Sequence, residues 1–194
     1  MTPIACMITD RRRLRDQTLE GVVRQAAAAA RSGIQLIQLR ERDLEGRALV
    51  DLARRVVAAV KGTRTRVLVN DRLDVALAAH AHGVQLRQGS FGADRVRALV
   101  APGFLIGQSV HSVDEARAPS ARAADFLLFG HVFESASKPD QAPRGLAELS
   151  AVSRATPVPV LALGGVSLDR IHQVVESGAA GFAAISLFAA LGAA

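Results

Sequence analysis

Eight short apolar runs, each followed by a stretch of helical character, constrain this chain more than any other feature. The runs are Ile4 to Thr9, Ile34 to Leu39, Arg66 to Asn70, Gly83 to Leu86, Phe104 to Gln108, Phe126 to Phe129, Val158 to Leu163 and Gly181 to Ile185. Runs this short and rich in Val, Ile and Leu suit parallel strands, which are buried on both faces when helices cover them. Amphipathic segments fall between them, near Leu19 to Ser32, Gly46 to Val60, Leu73 to His80, Ala93 to Val100, Val113 to Ala123, Leu146 to Ala155 and Leu168 to Ser177. Strand-then-helix alternation repeated eight times predicts an α/β protein, a compact single-domain (β/α)8 TIM barrel over residues 1–194. Gly33, Gly83 and Gly178 stand where helices should stop before strands. Ser112 with Glu115 has capping-box spacing, and Ser167 with Arg170 offers a second N-cap.

The chain has 194 residues, against ~250 for a typical barrel of this kind, so its connections must be short. The exception is Gly130 to Gly145, an aperiodic segment after the sixth run, and long loops in compact domains are usually functional lids or disordered. Hydrophobic residues make up 49% of the chain, yet no apolar run approaches the ~18 residues that span a bilayer. Nothing before Pro3 has signal-peptide character, so a cytoplasmic location is expected. Cys6, the single cysteine, lies in an apolar run and is expected to be a buried core residue. The formal net charge is +6, and among the 24 basic residues only Lys61 and Lys138 are lysines. The arginines are scattered, Arg11-Arg12-Arg13 is the one dense cluster, and there is no Trp or Tyr to stack on bases. Nucleic acid and membrane are therefore not expected partners; the positive charge suits attraction of small anionic substrates.

Active sites of such barrels are built at the C-terminal ends of the strands. Gly164-Gly165 follows the seventh run and leads into a helix, so backbone amides there could approach a phosphate closely. Ser186 follows the eighth run with a terminal helix expected from Leu187 to Leu191, and phosphate sites of these barrels are often made by the last two turns. The expected phosphate-binding residues are Gly164, Gly165, Ile185 and Ser186. His111 and His131 are the histidines that follow strands, and His131 opens the long loop, which favours it for proton transfer. His111 is expected to brace the rim. Asp71, beside Asn70, could contribute to a Mg²⁺ site or cap the following helix. Ser135, Ser137 and Lys138 would make an anion-binding edge of hydroxyls and an ammonium. No pair of histidines has zinc-ligand spacing.

Gln38-Leu-Arg-Glu-Arg-Asp43, Asn70-Asp-Arg72, Val84-Gln-Leu86, Gly107-Gln-Ser-Val-His-Ser112, Phe129-Gly-His-Val-Phe-Glu-Ser135 and Gly164-Gly165 resemble, in order and over nearly the whole chain, the thiamine phosphate synthase and thiazole tautomerase superfamily. The resemblance implies a phosphorylated thiazole ligand, a homodimer, and substrate contacts from Gln38, Arg40, Arg42, Asn70, Ser109, Ser135, Ser137 and Lys138. Within it, Gly130-His-Val-Phe-Glu134, Ser109-Val-His-Ser112 and Gly89-Ser-Phe91 look like the thiazole tautomerase (TenI-like) branch. That branch implies an isomerase that aromatises a carboxythiazole phosphate isomer, with His131 as the catalytic proton shuttle and no cofactor or metal. The alternative is a thiamine phosphate synthase, a transferase that couples a pyrimidine diphosphate to thiazole phosphate with Mg²⁺ on Asp71. Its second metal-binding aspartate would match Ser90, its usual lysine Arg42 and a usual proline His131. A third alternative is a non-catalytic regulator that binds thiazole or thiamine phosphates.

Overall fold

The structure, a computed structural model, describes residues 2–135 and 140–192. Eight strands form one closed barrel in sequential order: β1 (Ile4–Ile8), β2 (Leu36–Leu39), β3 (Arg66–Asn70), β4 (Gly83–Leu86), β5 (Leu105–Val110), β6 (Phe126–Gly130), β7 (Val160–Leu163) and β8 (Gly181–Ala184). The (β/α)8 fold is thus as the alternation predicts, with strand ends shifted by one or two residues. Every residue of β2, β4, β6 and β8 is buried. That is why these segments read as short continuous apolar runs rather than as alternating ones. Pairing is parallel, for example Leu36↔Arg66 to Leu39↔Val69 between β2 and β3, and Gly107↔Phe126 to Val110↔Phe129 between β5 and β6. Gly107 is required by its neighbours, because a Cβ there would run into the Phe126 ring and the Gln85 side chain.

Contacts divide the chain into two units. The first holds Ala5–Val84 with Ile185–Ala194. In it, α1 (Leu19–Arg31) starts at Thr18, whose Oγ1 accepts the Gly21 N–H at 2.9 Å. Its buried stripe, Val22, Ala26, Ala29 and Ala30, has helical spacing, so the alanine run is core-facing helix. Helix α2 (Gly46–Ala59) buries Leu49, Leu52, Ala53 and Val56 in the same way, and α3 (Leu73–Ala78) is short. The terminal helix expected at Leu187 to Leu191 is instead a single 3-10 turn, Ser186–Phe188.

The second unit holds Met1–Ile4 with Gln85–Ala184. Its helices are α4 (Ala93–Arg97), α5 (Val113–Arg117), α6 (Pro119–Arg122), α7 (Gly145–Ala155) and α8 (Ile171–Glu176). The single helix expected from Val113 to Ala123 is broken in two, because Pro119 drives Ala118 to an extended ψ of 143° and starts α6 at its own first position. A 3-10 turn, Leu168–Arg170, replaces the start of the helix expected from Leu168. Ser112 caps α5, accepting the Glu115 N–H at 3.1 Å, but Ser167 makes no capping bond. Gly83 proves to be a strand residue; the left-handed turn after α3 is taken by His80, at φ 52°. No described helix is long and apolar enough to cross a membrane.

Candidate active site

In the first unit, the ends of β2 and β3 and the turns that follow them carry five of the predicted polar residues, Gln38, Arg40, Arg42, Asn70 and Asp71. The amide of Gln38, at the end of β2, donates from Nε2 to Asn70 Oδ1 at 2.8 Å, so two of the expected substrate contacts are paired with each other. Gln38 is 4% exposed, and its Oε1 has no hydrogen-bond partner. A buried carbonyl oxygen without a donor is costly to keep. Thr9, fully buried at the end of β1, accepts the Arg40 N–H at 2.9 Å and so fixes the backbone from which the second turn departs.

That turn is a run of charge. Arg40 is half-buried and Arg42 exposed. Burial, followed by repulsion from Arg42, lowers the Arg40 pKa from its ordinary value. An anion would relieve both. Glu41 points the other way chemically: its side chain is 2% exposed, and Oε2 accepts from the Arg11 backbone N–H and from Arg11 Nη1, each at 3.2 Å. Arg11 also forms a two-pronged ion pair with Asp43, which holds that carboxyl down to about 2. Arg11 therefore ties the first turn to the second and neutralises the two carboxylates there, while Arg40 and Arg42 remain outside that network. Sequence reasoning missed Arg11 and Glu41; the only available signal was an acidic residue between two arginines at a rim.

Asp71 sits at φ 63°, a left-handed conformation that Asp tolerates better than most residues. The cap position of α3 belongs to Arg72, whose side chain makes no capping bond. Among the described residues no three His, Cys, Asp or Glu side chains converge on a point that could hold a metal by themselves; the Asp71 carboxylate would need diphosphate oxygens of a substrate to complete a Mg²⁺ shell. At the eighth turn, Ile185 and Ser186 lead into the 3-10 turn, and Ser186 Oγ accepts from Arg13 Nη1 at 3.4 Å.

In the second unit, Gln85 of β4 donates to Ser109 Oγ at 3.2 Å, orienting a residue expected to meet substrate. Gln85 is buried and its Oε1 lacks a partner, the same situation as Gln38. A glutamine between Val84 and Leu86 in a barrel strand was the signal that could have singled it out. Glu115 braces the rim after β4 and β5: Oε1 accepts from Gln88 Nε2 at 2.8 Å and Oε2 from the His111 N–H at 2.7 Å. His111 Nδ1 lies 3.7 Å from the same carboxylate.

His131 is 7% exposed, and its Nε2 donates to the Gln141 carbonyl at 3.0 Å. Its own carbonyl accepts the Arg144 N–H at 3.0 Å. The segment it opens folds onto the seventh turn, with Val132 N–H bound to Leu163 O at 2.8 Å and Phe133 N–H to Gly164 O at 3.0 Å. Gly164 (φ 96°) and Gly165 (φ 65°) are glycines for that reason. A Cβ on Gly164 would collide with the His131 Cβ and come within 2.7 Å of its Cα; one on Gly165 would strike Glu134 O and the Phe133 Cβ. The positions a Cβ would take on these two glycines are occupied by residues 131–134. Arg170 completes this packing, stacking 4.8 Å over the Phe133 ring and donating to Gly165 O at 3.0 Å. Ser135 borders the same segment; Ser137 and Lys138 lie outside the described residues.

Fold and rim define a class, a (β/α)8 barrel with a paired-guanidinium turn suited to an anionic substrate. Comparison with known proteins narrows it. The family model described as thiamine monophosphate synthase matches residues 5–188. A putative thiamine-phosphate synthase 2 of Aquifex aeolicus is 38% identical over 181 residues, 93% of this chain and 95% of that one. The thiamine-phosphate synthase of Anaeromyxobacter dehalogenans is 43% identical over 173 residues, 89% and 77% of the two chains. Among solved structures, a thiamine phosphate pyrophosphorylase from Pyrococcus furiosus superposes with a TM-score of 0.80 at 31% identity, covering 95% of this chain and 87% of its own. The chain belongs to the thiamine monophosphate synthase family.

These similarities overturn the expected tautomerase branch and the isomerase activity, since the relatives that match nearly the whole chain are synthases. The proton-shuttle role of His131 goes with that reaction. Gly130 to Glu134 resembles the tautomerase motif, and in the fold it packs on the seventh turn, with the His131 Cβ beside Gly164 and Phe133 between Gly165 and Arg170.

Proposed function

We propose that this protein is a thiamine-phosphate synthase, a transferase that joins a pyrimidine diphosphate to a thiazole phosphate. The ring nitrogen of the thiazole forms a bond to the carbon that carries the diphosphate, and the bonding pair leaves with the diphosphate oxygen. The observation that carries this reading is the second turn, where Arg40 stands half-buried beside Arg42, and burial with that repulsion outweighs the attraction of Asp10 and Glu41. Such a pair is relieved by an anion, and relief grows as charge accumulates on the departing diphosphate, so binding is strongest where the reaction needs it. Family membership supports the same chemistry.

The remaining roles follow from local geometry. Gln38, with its unpartnered Oε1 and its amide shared with Asn70, orients a heterocycle bearing an N–H donor. Ser109, steadied by Gln85, supplies a hydroxyl, and the hydroxyls of Ser135 and Ser137 and the ammonium of Lys138 meet phosphoryl oxygens. The thiazole phosphate is taken at the eighth turn, by Ile185 and Ser186. His131 shapes the loop and moves no proton. The protein acts as a cytoplasmic homodimer without nucleic-acid partners.

The test is direct coupling of the two substrates by purified protein, with Mg²⁺ titrated from zero, followed by chromatography of thiamine phosphate. Product formation with release of one diphosphate per turnover is expected. No product at any Mg²⁺ concentration refutes the reading.

A further inference from the structure

The three arginines of the 3-10 turn Arg11–Arg13 have different surroundings. Arg11 is engaged by Glu41 and Asp43, and Arg12 is exposed and only approaches Asp43, at 3.8 Å. Arg13 reaches the eighth turn. Its Nη1 donates to Ser186 Oγ at 3.4 Å while its Nε faces Asp10 Oδ2 at 3.6 Å. Asp10 is itself held in place, since its other oxygen accepts the Arg12 N–H at 3.3 Å. The anchor for the Arg13 stem is therefore built from the backbone of the same turn.

A hydroxyl at 3.4 Å is a weak, neutral acceptor for a group with five N–H donors. Asp10 lies by the Nε, while Nη1 is directed at Ser186. A phosphate monoester matches that fork in charge and in spacing far better than a serine hydroxyl does. We propose that Arg13 is a phosphate-binding residue, its terminal nitrogens passing from the Ser186 hydroxyl to the monoester of the thiazole phosphate and so selecting phosphorylated over unphosphorylated thiazole. The inference rests on the synthase reading for the identity of that monoester.

Calorimetric titration separates the two. Thiazole phosphate and the unphosphorylated thiazole alcohol are each titrated into wild type, Arg13→Ala, Arg13→Lys and, as a charge control, Arg31→Ala. Arg13→Ala should weaken thiazole phosphate binding about tenfold, the scale of one exposed charge-assisted hydrogen bond, and leave alcohol binding unchanged. Arg13→Lys should recover part of the loss, and Arg31→Ala should show none. An equal loss for both ligands would assign Arg13 a purely structural role and overturn the proposal, as would no loss, or no binding of thiazole phosphate by wild type. If wild type binds thiazole phosphate through Arg13 but couples no pyrimidine, the synthase reading falls and this inference stands. If it couples and Arg13→Ala has an unaltered KM for thiazole phosphate, the reverse holds.

Discussion

At the second strand-to-helix turn, four consecutive residues, Arg40 to Asp43, are charged; at the seventh, Gly164 and Gly165 have no side chains. Both turns were expected to meet anionic groups, but their neighbours differ. The charges of the second turn are sorted by partners, with Glu41 and Asp43 joined to Arg11 and the two arginines left outside that network. The glycines of the seventh turn are sorted by space, since residues 131–134 occupy the positions a Cβ would take. One turn is built to present charge, the other to let two stretches of backbone close on each other. Residue type at a rim therefore does not by itself reveal a ligand contact; the neighbour that satisfies it must be known.

The sharpest way to break this comparison is Gly164→Ala. Left-handed backbone and collision with His131 together should cost about 3 kcal/mol, roughly 10 °C in Tm for a chain of this size, read by thermal unfolding. An unchanged Tm with a raised KM for thiazole phosphate would show that the seventh turn serves the ligand rather than the fold. Next in size is Arg40→Ala, expected to raise KM for the pyrimidine diphosphate by roughly 30- to 100-fold, about 2 to 3 kcal/mol, with Tm nearly unaltered. A Tm loss comparable to that of Gly164→Ala would mean that Arg40 holds the fold instead.

Arg11→Ala tests the sorting of charge. It strands the buried Glu41 carboxylate, which should cost about 2 kcal/mol in urea unfolding, and Glu41→Gln in the same background should restore part of it. The smallest effect concerns pH. Arg11 depresses the Asp43 pKa from 3.8 to about 2, so the stabilisation is complete above pH 4 and is lost as pH falls towards 2. Asp43 is 38% exposed, so solvent screens the pair and the acid slope of stability is shallow. Asp43→Asn should flatten it further, and an unaltered slope would assign the acid sensitivity elsewhere.

Much of the architecture was legible in the residues. Burial on both faces makes each strand a short apolar run, and the alanine stripe of α1 and the Leu/Val stripe of α2 follow helical spacing. The break at Pro119 was also readable, because the residue before a proline avoids helical ψ, yet the continuous polar-apolar pattern across it suggested one helix. The site was less legible. Gln38, Arg40, Asn70 and Ser109 lie at strand ends where position alone made them candidates, but the pairing of Gln38 with Asn70, and of Ser109 with Gln85, depends on neighbouring strands in register.

By itself the sequence determined the eightfold strand–helix repeat and the placement of polar residues at strand ends, because both arise from spacing within a few residues along one segment. Tertiary structure alone decided that Arg11 joins Glu41 and Asp43, that Arg13 turns to Ser186, and that His131 packs on Gly164 with its ring bonded to Gln141. Hydrogen bonds and steric contacts act over a few ångströms. Only folding brings together groups separated by ten to more than 170 positions along the chain.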